Sequence, residues 1–95
     1  MNLFAIFEGE VRRCLDTLQG RGELPADLAL ARWTVEPPRD PSHGQIATNA
    51  ALVLAKGARK KPMDIAEPLA ALLREVEGVA EAAVAKPGFV NLRLD

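Results

Sequence analysis

The chain has 95 residues, a length that suits one domain with a single hydrophobic core. Its formal net charge is -1 and its charged content is an ordinary 26%, which excludes a highly basic nucleic-acid clamp; any affinity for RNA must come from locally placed residues. The single cysteine and the single histidine, Cys14 and His43, exclude an internal disulfide and a zinc site of the Cys/His type, and they favour a reducing, cytoplasmic setting.

The first predicted element is a helix that begins after Asn2, a suitable N-cap, and runs to about Gln19. Apolar residues recur along it at helical spacing, and Cys14 belongs to this stripe, which predicts that its thiol is buried. The apolar start at residues 3–7 is too short for a signal peptide or a membrane span. Gly20 and Gly22 are expected to end the helix.

Residues 33–37 alternate in character and predict a strand, which Pro37 and Pro38 end because proline cannot donate to a ladder. Trp33 is expected to pack in the core. The following loop contains His43, which could act as a general base, but the sequence arranges no nucleophile or carboxylate with it. A structural hydrogen bond is the favoured role for this histidine.

Ser42 and Gln45 have the spacing of a capping box, which predicts that a second helix begins there and ends near Gly57. Residues 59–61 form a basic run of one arginine and two lysines. A solvated loop between helices is the favoured interpretation of this run, and a contact with an RNA backbone is the alternative.

A third helix is predicted from Pro62 to Gly78, with a bend or a late start caused by Pro68. Residues 79–85 and 89–94 then read as two strands, and the short Pro-Gly turn between them predicts an antiparallel hairpin. The expected fold class is α+β: a two-layer domain with a small antiparallel sheet of about three strands packed against about three helices.

The final strand, residues 89–94, presents two different faces. One face is aliphatic and predicts burial, with Leu92 at its centre. The other face carries Phe89, Asn91 and Arg93. A ring can stack on a nucleobase, an amide can bond to a base edge and a guanidinium can bind a phosphate. From the pattern alone, the favoured interpretation is that Phe89 packs under a helix while Asn91 and Arg93 are solvated, and contact with RNA is the alternative.

The sequence contains no motif that supports catalysis. A phosphate-binding loop, a nucleophile elbow, paired carboxylates in a pocket motif and a metal-ligand constellation are all missing from it. No catalytic residue and no metal site is therefore predicted for this chain.

Three segments, residues 35–51, 61–67 and 87–94, resemble the signature of the N-terminal additional domain of arginyl-tRNA synthetase. The resemblance covers essentially the whole chain, residues 1–95, in the same order and spacing. Two departures stand out. Gln45 replaces an acidic residue that is common in the family, and Pro68 interrupts a helix that is usually continuous.

The resemblance implies a tRNA-binding domain that contacts the D-loop at the outer corner of tRNA(Arg). The aromatic and the amide that carry this contact in the family match Phe89 and Asn91, and Lys86 matches a third RNA-contacting position by place rather than by type. Arg93 lies nearby and is added as a phosphate contact. The full enzyme would join arginine to its tRNA using ATP with Mg, in catalytic and anticodon-binding domains that are absent from this chain.

The expected partners are tRNA(Arg) and the remaining domains of the same synthetase, with neither DNA nor a membrane among them. No cofactor is expected in this domain. The alternative function, from another class, is a protein-interaction module whose strand face of Phe89, Asn91 and Arg93 docks on the synthetase's other domains. A free-standing enzyme is the least favoured interpretation, because no catalytic site is predicted.

Overall fold

The computed structural model describes residues 2–95, which form three α-helices, one short 3-10 helix and four strands. In chain order these are α1 (Leu3–Gly20), β1 (Val35–Glu36), the 3-10 helix (Pro41–His43), β2 (Ile46–Thr48), α2 (Ala50–Ala58), α3 (Pro62–Leu73), β3 (Val79–Ala85) and β4 (Phe89–Leu94). The predicted α+β class is confirmed, with one strand more than expected. No helix in the described range is long and apolar enough to cross a membrane.

The four strands form one antiparallel sheet in the order β1-β2-β4-β3. The predicted hairpin of β3 and β4 is confirmed. On the other side of β4 lies β2, so that Asn91 has Ala47 of β2 as one neighbour and Ala83 of β3 as the other. The central position of β4 means that the side chains of three strands meet on each face around it.

The helices cover only one face of this sheet. Val90 and Leu92 on that face are both 0% exposed, so the predicted inward direction of Leu92 is confirmed. Burial of such aliphatic side chains is the main favourable term in the folding of a domain of this size. The opposite face carries Glu81, Ala83 and Arg93, all exposed, and the helices leave it open.

Helix α1 begins as the sequence predicts. The side-chain oxygen of Asn2 accepts hydrogen bonds from the backbone N–H groups of Phe4 and Ala5, at 3.0 and 3.3 Å. Cys14 and Trp33 are both buried, as expected. Burial raises the pKa of the Cys14 thiol, which stays protonated and behaves as a small core side chain.

The second helix begins later than predicted. Residues 46–48 form strand β2, and α2 starts only at Ala50, so the capping box of Ser42 and Gln45 is wrong. The Gln45 side chain instead accepts a hydrogen bond from the backbone N–H of Leu94, at 2.9 Å. Pairing with β4 decides the conformation of this stretch, because its short apolar run is compatible with either a helix or a strand.

The end of α2 also differs from the prediction. Gly57 lies inside the helix, and Arg59 provides the left-handed residue at its C-terminus, with φ at 55°. A Cβ at position 57 would lie 2.7 Å from the Cδ1 atom of Leu28, the movable end of a half-buried side chain. A glycine near a helix end is therefore not always the residue that terminates the helix.

Helix α3 begins at Pro62, as predicted, and continues through Pro68 without a break. The predicted late start is therefore wrong. Pro68 removes one backbone donor, but the face of the helix that contains Ile65 and Leu69 is fully buried in the core. The helix ends at Leu73, before the predicted end at Gly78.

Gly44 connects the 3-10 helix to β2 at a place where no side chain fits. Its φ is 121°, which an L-residue rarely adopts. A Cβ there would overlap the carbonyl oxygen of Leu92 and lie 2.8 Å from its carbonyl carbon. The next residue, Gln45, donates its backbone N–H to that same oxygen at 3.0 Å. Gly44 therefore allows the loop before β2 to approach the backbone of β4.

We expect Leu92→Ala to lower the free energy of unfolding by roughly 2–5 kcal/mol, because it opens a cavity in a fully buried site. Urea unfolding of the 95-residue chain measures this loss. The matched control is Leu3→Ala, since Leu3 is 41% exposed and its truncation should cost less than about 1 kcal/mol. Similar losses for the two variants would contradict the assignment of the buried face.

We expect Gly44→Ala to destabilise the chain by more than about 1 kcal/mol, because it adds both backbone strain and overlap with Leu92. Gly9→Ala is the control: Gly9 lies inside α1 with nothing within 4 Å of the added methyl group. That substitution should stabilise the chain by about 0.5–1 kcal/mol. Urea unfolding of both variants should give shifts of opposite sign, and a neutral Gly44→Ala would refute the close approach.

Candidate nucleic-acid interface

A pocket of about 570 Å³ opens on the face of the sheet that carries no helix. Its lining comes from the central strands, from the β3–β4 hairpin and from the loop between β1 and β2. The lining residues are Thr34, Glu36, Pro37, Pro38, Arg39, Asp40, His43, Ala47, Thr48, Asn49, Ala85, Lys86, Phe89 and Asn91. Three of the four residues predicted to bind tRNA therefore meet in one concave site.

The depth of the pocket follows from small side chains around Asn91. Ala47 and Ala83 flank it on the two neighbouring strands, and Ala85 lies opposite Phe89. Because neighbouring strands are only about 5 Å apart, long side chains at these positions would fill the space above Asn91. Methyl groups leave that space open. The three alanines therefore leave room for a pocket above the aromatic and the amide of β4.

Asn91 is less exposed than strand alternation predicted, at 9%. None of the side-chain hydrogen bonds within residues 2–95 involves its amide. The same range contains no fully buried side-chain N or O atom without a partner, so the amide remains open to the pocket. Asn91 thus offers two donors and one acceptor that the fold leaves unused.

Phe89 is half-buried at the start of β4, and the turn before it is held firmly. A Cβ at Gly88 would lie 2.6 Å from the Cβ of Pro62 and 3.2 Å from the Cα of Leu52, so only glycine lets the hairpin pack this closely on the helices. This contact fixes the position of the aromatic ring and of the exposed Lys86 beside it.

Arg93 lies outside the pocket lining. Its Nη2 donates to the backbone carbonyl oxygen of Ser42 at 2.6 Å, and its Nε lies 3.8 Å from a carboxylate oxygen of Glu81. The first of these contacts ties β4 to the loop that forms one wall of the pocket. A structural role for the Arg93 guanidinium is thereby established, and its predicted phosphate contact stays a prediction.

Asp40 stabilises the wall of the pocket. Its carboxylate accepts the backbone N–H of Ser42 at 2.9 Å and caps the 3-10 helix. Hydrogen bonds from Ser42 lower the pKa of Asp40, so the carboxylate is ionised at neutral pH and the cap is lost only in acid, below the usual aspartate range. The His43 ring lies 3.9 Å from Asp40, too far for the structural hydrogen bond expected of it.

The charges that line the pocket balance. Glu36 and Asp40 contribute two negative charges, and Arg39 and Lys86 contribute two positive charges. A site of this composition has no strong preference for an anion. It suits a flat, neutral, polar group such as a nucleobase, which can stack on a ring and bond to an amide.

Sequence reasoning missed the contribution of the β1–β2 connection. The side-chain oxygen of Asn49 accepts the backbone N–H of Thr34 at 2.7 Å, and the Thr48 hydroxyl donates to the carbonyl oxygen of Thr34 at 2.9 Å. These bonds hold β1 against β2 and shape the pocket edge. Thr48 and Asn49 both lie in the segment 35–51, and its resemblance to the family signature is the sequence signal that could have indicated them.

Comparison with known sequences gives a consistent result. The family model described as "Arginyl tRNA synthetase N terminal domain" matches residues 6–94. An arginine–tRNA ligase of Methylobacterium sp. (strain 4-46) is 60% identical over 94 residues, which cover 99% of this chain. The arginine–tRNA ligase of Parvibaculum lavamentivorans is 56% identical over 95 residues. The chain spans about 16% of the length of each of these relatives.

A solved structure agrees with the sequence relatives. The Thermus thermophilus arginyl-tRNA synthetase superposes with a TM-score of 0.73 and 26% identity, covering 99% of this chain and 14% of that one. The match to the family model and the fold are therefore in accord, and the chain belongs to the family of arginyl-tRNA synthetase N-terminal domains.

Proposed function

We propose that this chain is the tRNA-binding N-terminal domain of an arginine–tRNA ligase, and that its pocket binds a D-loop nucleotide at the outer corner of tRNA(Arg). The observation that carries the proposal is the unpartnered amide of Asn91 beside Phe89 in a pocket of balanced charge. The names of the relatives support the ligase as the parent protein.

The chemistry of binding follows from these two side chains. A base that is splayed out of the D-loop stacks on the Phe89 ring, which is worth about 1–3 kcal/mol. Its edge bonds to the Asn91 amide. Because that amide is nearly buried, a base that leaves it unpaired incurs a desolvation penalty of about 1–3 kcal/mol. The pocket therefore discriminates mainly by penalising the wrong base edge.

Affinity of the separate domain is expected to be low. The net charge of -1 provides little nonspecific attraction for RNA. Lys86 lies at the end of the pocket beside Phe89 and is suited to the phosphate of the bound nucleotide. The domain then contributes to tRNA selection when the rest of the ligase holds the tRNA nearby, because tethering raises the effective concentration of the D-loop.

The reaction itself belongs to other parts of the ligase. We expect ATP, Mg and arginine to bind in the catalytic domain of the ligase. The role of this domain is to bind and orient tRNA for that reaction, in the cytoplasm. Binding and orientation of a substrate act through positioning and do not require a reacting group here.

The first test uses Phe89→Ala and Asn91→Ala in the arginine–tRNA ligase that carries this domain. Each should raise KM for tRNA(Arg) by about 5- to 150-fold, the equivalent of about 1–3 kcal/mol. The kcat at saturating tRNA should change little, because neither residue is near the chemistry. Phe89→Tyr should retain most of the affinity, since it preserves the ring.

The control is Asn2→Ala, which removes an asparagine of purely structural function. Loss of the helix cap should lower the free energy of unfolding by about 1 kcal/mol, which is seen as a lower melting temperature. KM for tRNA should stay unchanged. If Phe89→Ala and Asn91→Ala also act only on the melting temperature, the pocket is a docking surface for another domain, and the recognition site lies elsewhere.

A second test concerns the chain by itself. We expect residues 1–95 to show neither arginine-dependent ATP–pyrophosphate exchange nor charging of tRNA(Arg), because the sequence carries no phosphate-binding loop, nucleophile elbow or metal-ligand constellation. Exchange above a buffer blank, in a preparation free of host synthetase, would contradict the assignment of the reaction to other domains of the ligase.

A further inference from the structure

Positive charge is concentrated in one part of the chain. Residues 41–63 contain four cations, Lys56, Arg59, Lys60 and Lys61, and no acidic residue. The rest of the chain has the remaining 8 of 12 cations and all 13 acids, a balance of -5. The net charge of -1 for the whole chain therefore conceals a local charge of +4 in residues 41–63.

The fold brings the fourth lysine to this region. The Gly88 site packs between Pro62 and Leu52, with its Cβ position 2.6 Å from the Cβ of Pro62 and 3.2 Å from the Cα of Leu52. Lys61 directly precedes Pro62, and Lys86 lies two residues before Gly88. The tip of the hairpin therefore sits where α2 and the start of α3 meet.

Lys56 extends this arrangement along α2. It follows Leu52 by four residues, so the two share one face of the helix. Lys60 does not contribute a free group, because its Nζ donates to the backbone carbonyl oxygen of Glu23 at 2.9 Å. The three lysines that remain, Lys56, Lys61 and Lys86, form no ion pair within residues 2–95 and define what we name the lysine edge.

We infer that the lysine edge is a second RNA-binding surface, which holds the sugar-phosphate backbone next to the nucleotide in the pocket. Lys86 carries the argument, because it belongs both to the pocket lining and to the edge. A nucleotide with its base against Phe89 and Asn91 has its own phosphate at the pocket mouth, and the strand continues from there past Lys61 to Lys56. The inference rests on the proposed function.

The edge and the pocket divide recognition by chemistry. The pocket has balanced charge and offers a ring and an amide to a base. The edge offers ammonium groups, which bind phosphate as point charges and carry no base preference. The acid nearest to the edge along the chain is Asp64, in the first turn of α3, and it forms no ion pair with a lysine in the described part of the chain.

Salt dependence tests the inference. The dissociation constant of the ligase for a tRNA(Arg) transcript is measured between about 50 and about 200 mM salt for wild type, Lys56→Gln and Lys61→Gln. Each lost phosphate contact lowers the slope of log affinity against log salt by about 0.7. The ratio of each variant's dissociation constant to that of wild type should therefore fall roughly threefold across this range.

Two controls separate this inference from the proposed function. Arg13→Gln removes the same charge from α1, where Arg13 pairs with Glu10 at 2.8 Å, and it should leave the slope unchanged. Phe89→Ala should weaken binding by the same factor at every salt concentration, because stacking releases no counterions. A normal response to salt in the lysine variants, with a loss in Phe89→Ala, would overturn the edge and retain the pocket.

Two further outcomes are also decisive. If the lysine variants lower the melting temperature of the ligase, or weaken tRNA binding equally at all salt concentrations, the edge contacts an acidic surface of another domain. That result overturns the RNA inference. If Phe89→Ala and Asn91→Ala leave tRNA binding intact while the lysine variants change the slope, the edge binds RNA and the pocket does not.

Discussion

The pairing of β2 with β4 is the interaction on which the rest of this domain depends. Its register sets Ala47 opposite Asn91 and Thr48 opposite Val90. A shift by one residue would turn the buried Ile46 toward solvent and bring a different side chain beside Asn91. Gly44 makes the pairing possible, because any side chain there would collide with the backbone of Leu92. The core on one face and the pocket on the other are thus consequences of one strand contact.

The sequence predicts the elements whose signals are local. The faces of β4, the hairpin turn and the N-cap at Asn2 depend on residues a few positions apart, and the structure confirms them. Strand β2 depends on a partner more than 40 residues away and is only three residues long. Its apolar run looked like the start of a helix, and the local spacing of Ser42 and Gln45 reinforced that interpretation. Non-local pairing overrode both signals.

The candidate site was predictable to the same extent. Alternation along β4 brings Phe89 and Asn91 to one face, but the burial of Asn91 arises from the surrounding strands and from a loop that the helix prediction misplaced. Arg93 shows the converse. Sequence pattern indicates a free guanidinium, whereas the fold directs it to the carbonyl oxygen of Ser42, 51 positions away. A side chain's availability depends on contacts that no local pattern contains.

A domain with a net charge of -1 can still bind RNA if its charges are segregated. Uniformly spread lysines would attract any RNA, because counterion release is indifferent to sequence. Here the cations of the lysine edge lie beside a pocket whose own charges cancel. If the pocket and the lysine edge bind RNA as proposed, phosphate contacts become available mainly to a strand whose base already occupies the pocket, and the electrostatic contribution then depends on base recognition. The acidic remainder of the surface would then repel RNA that arrives in other orientations, and this coupling would give the domain its selectivity.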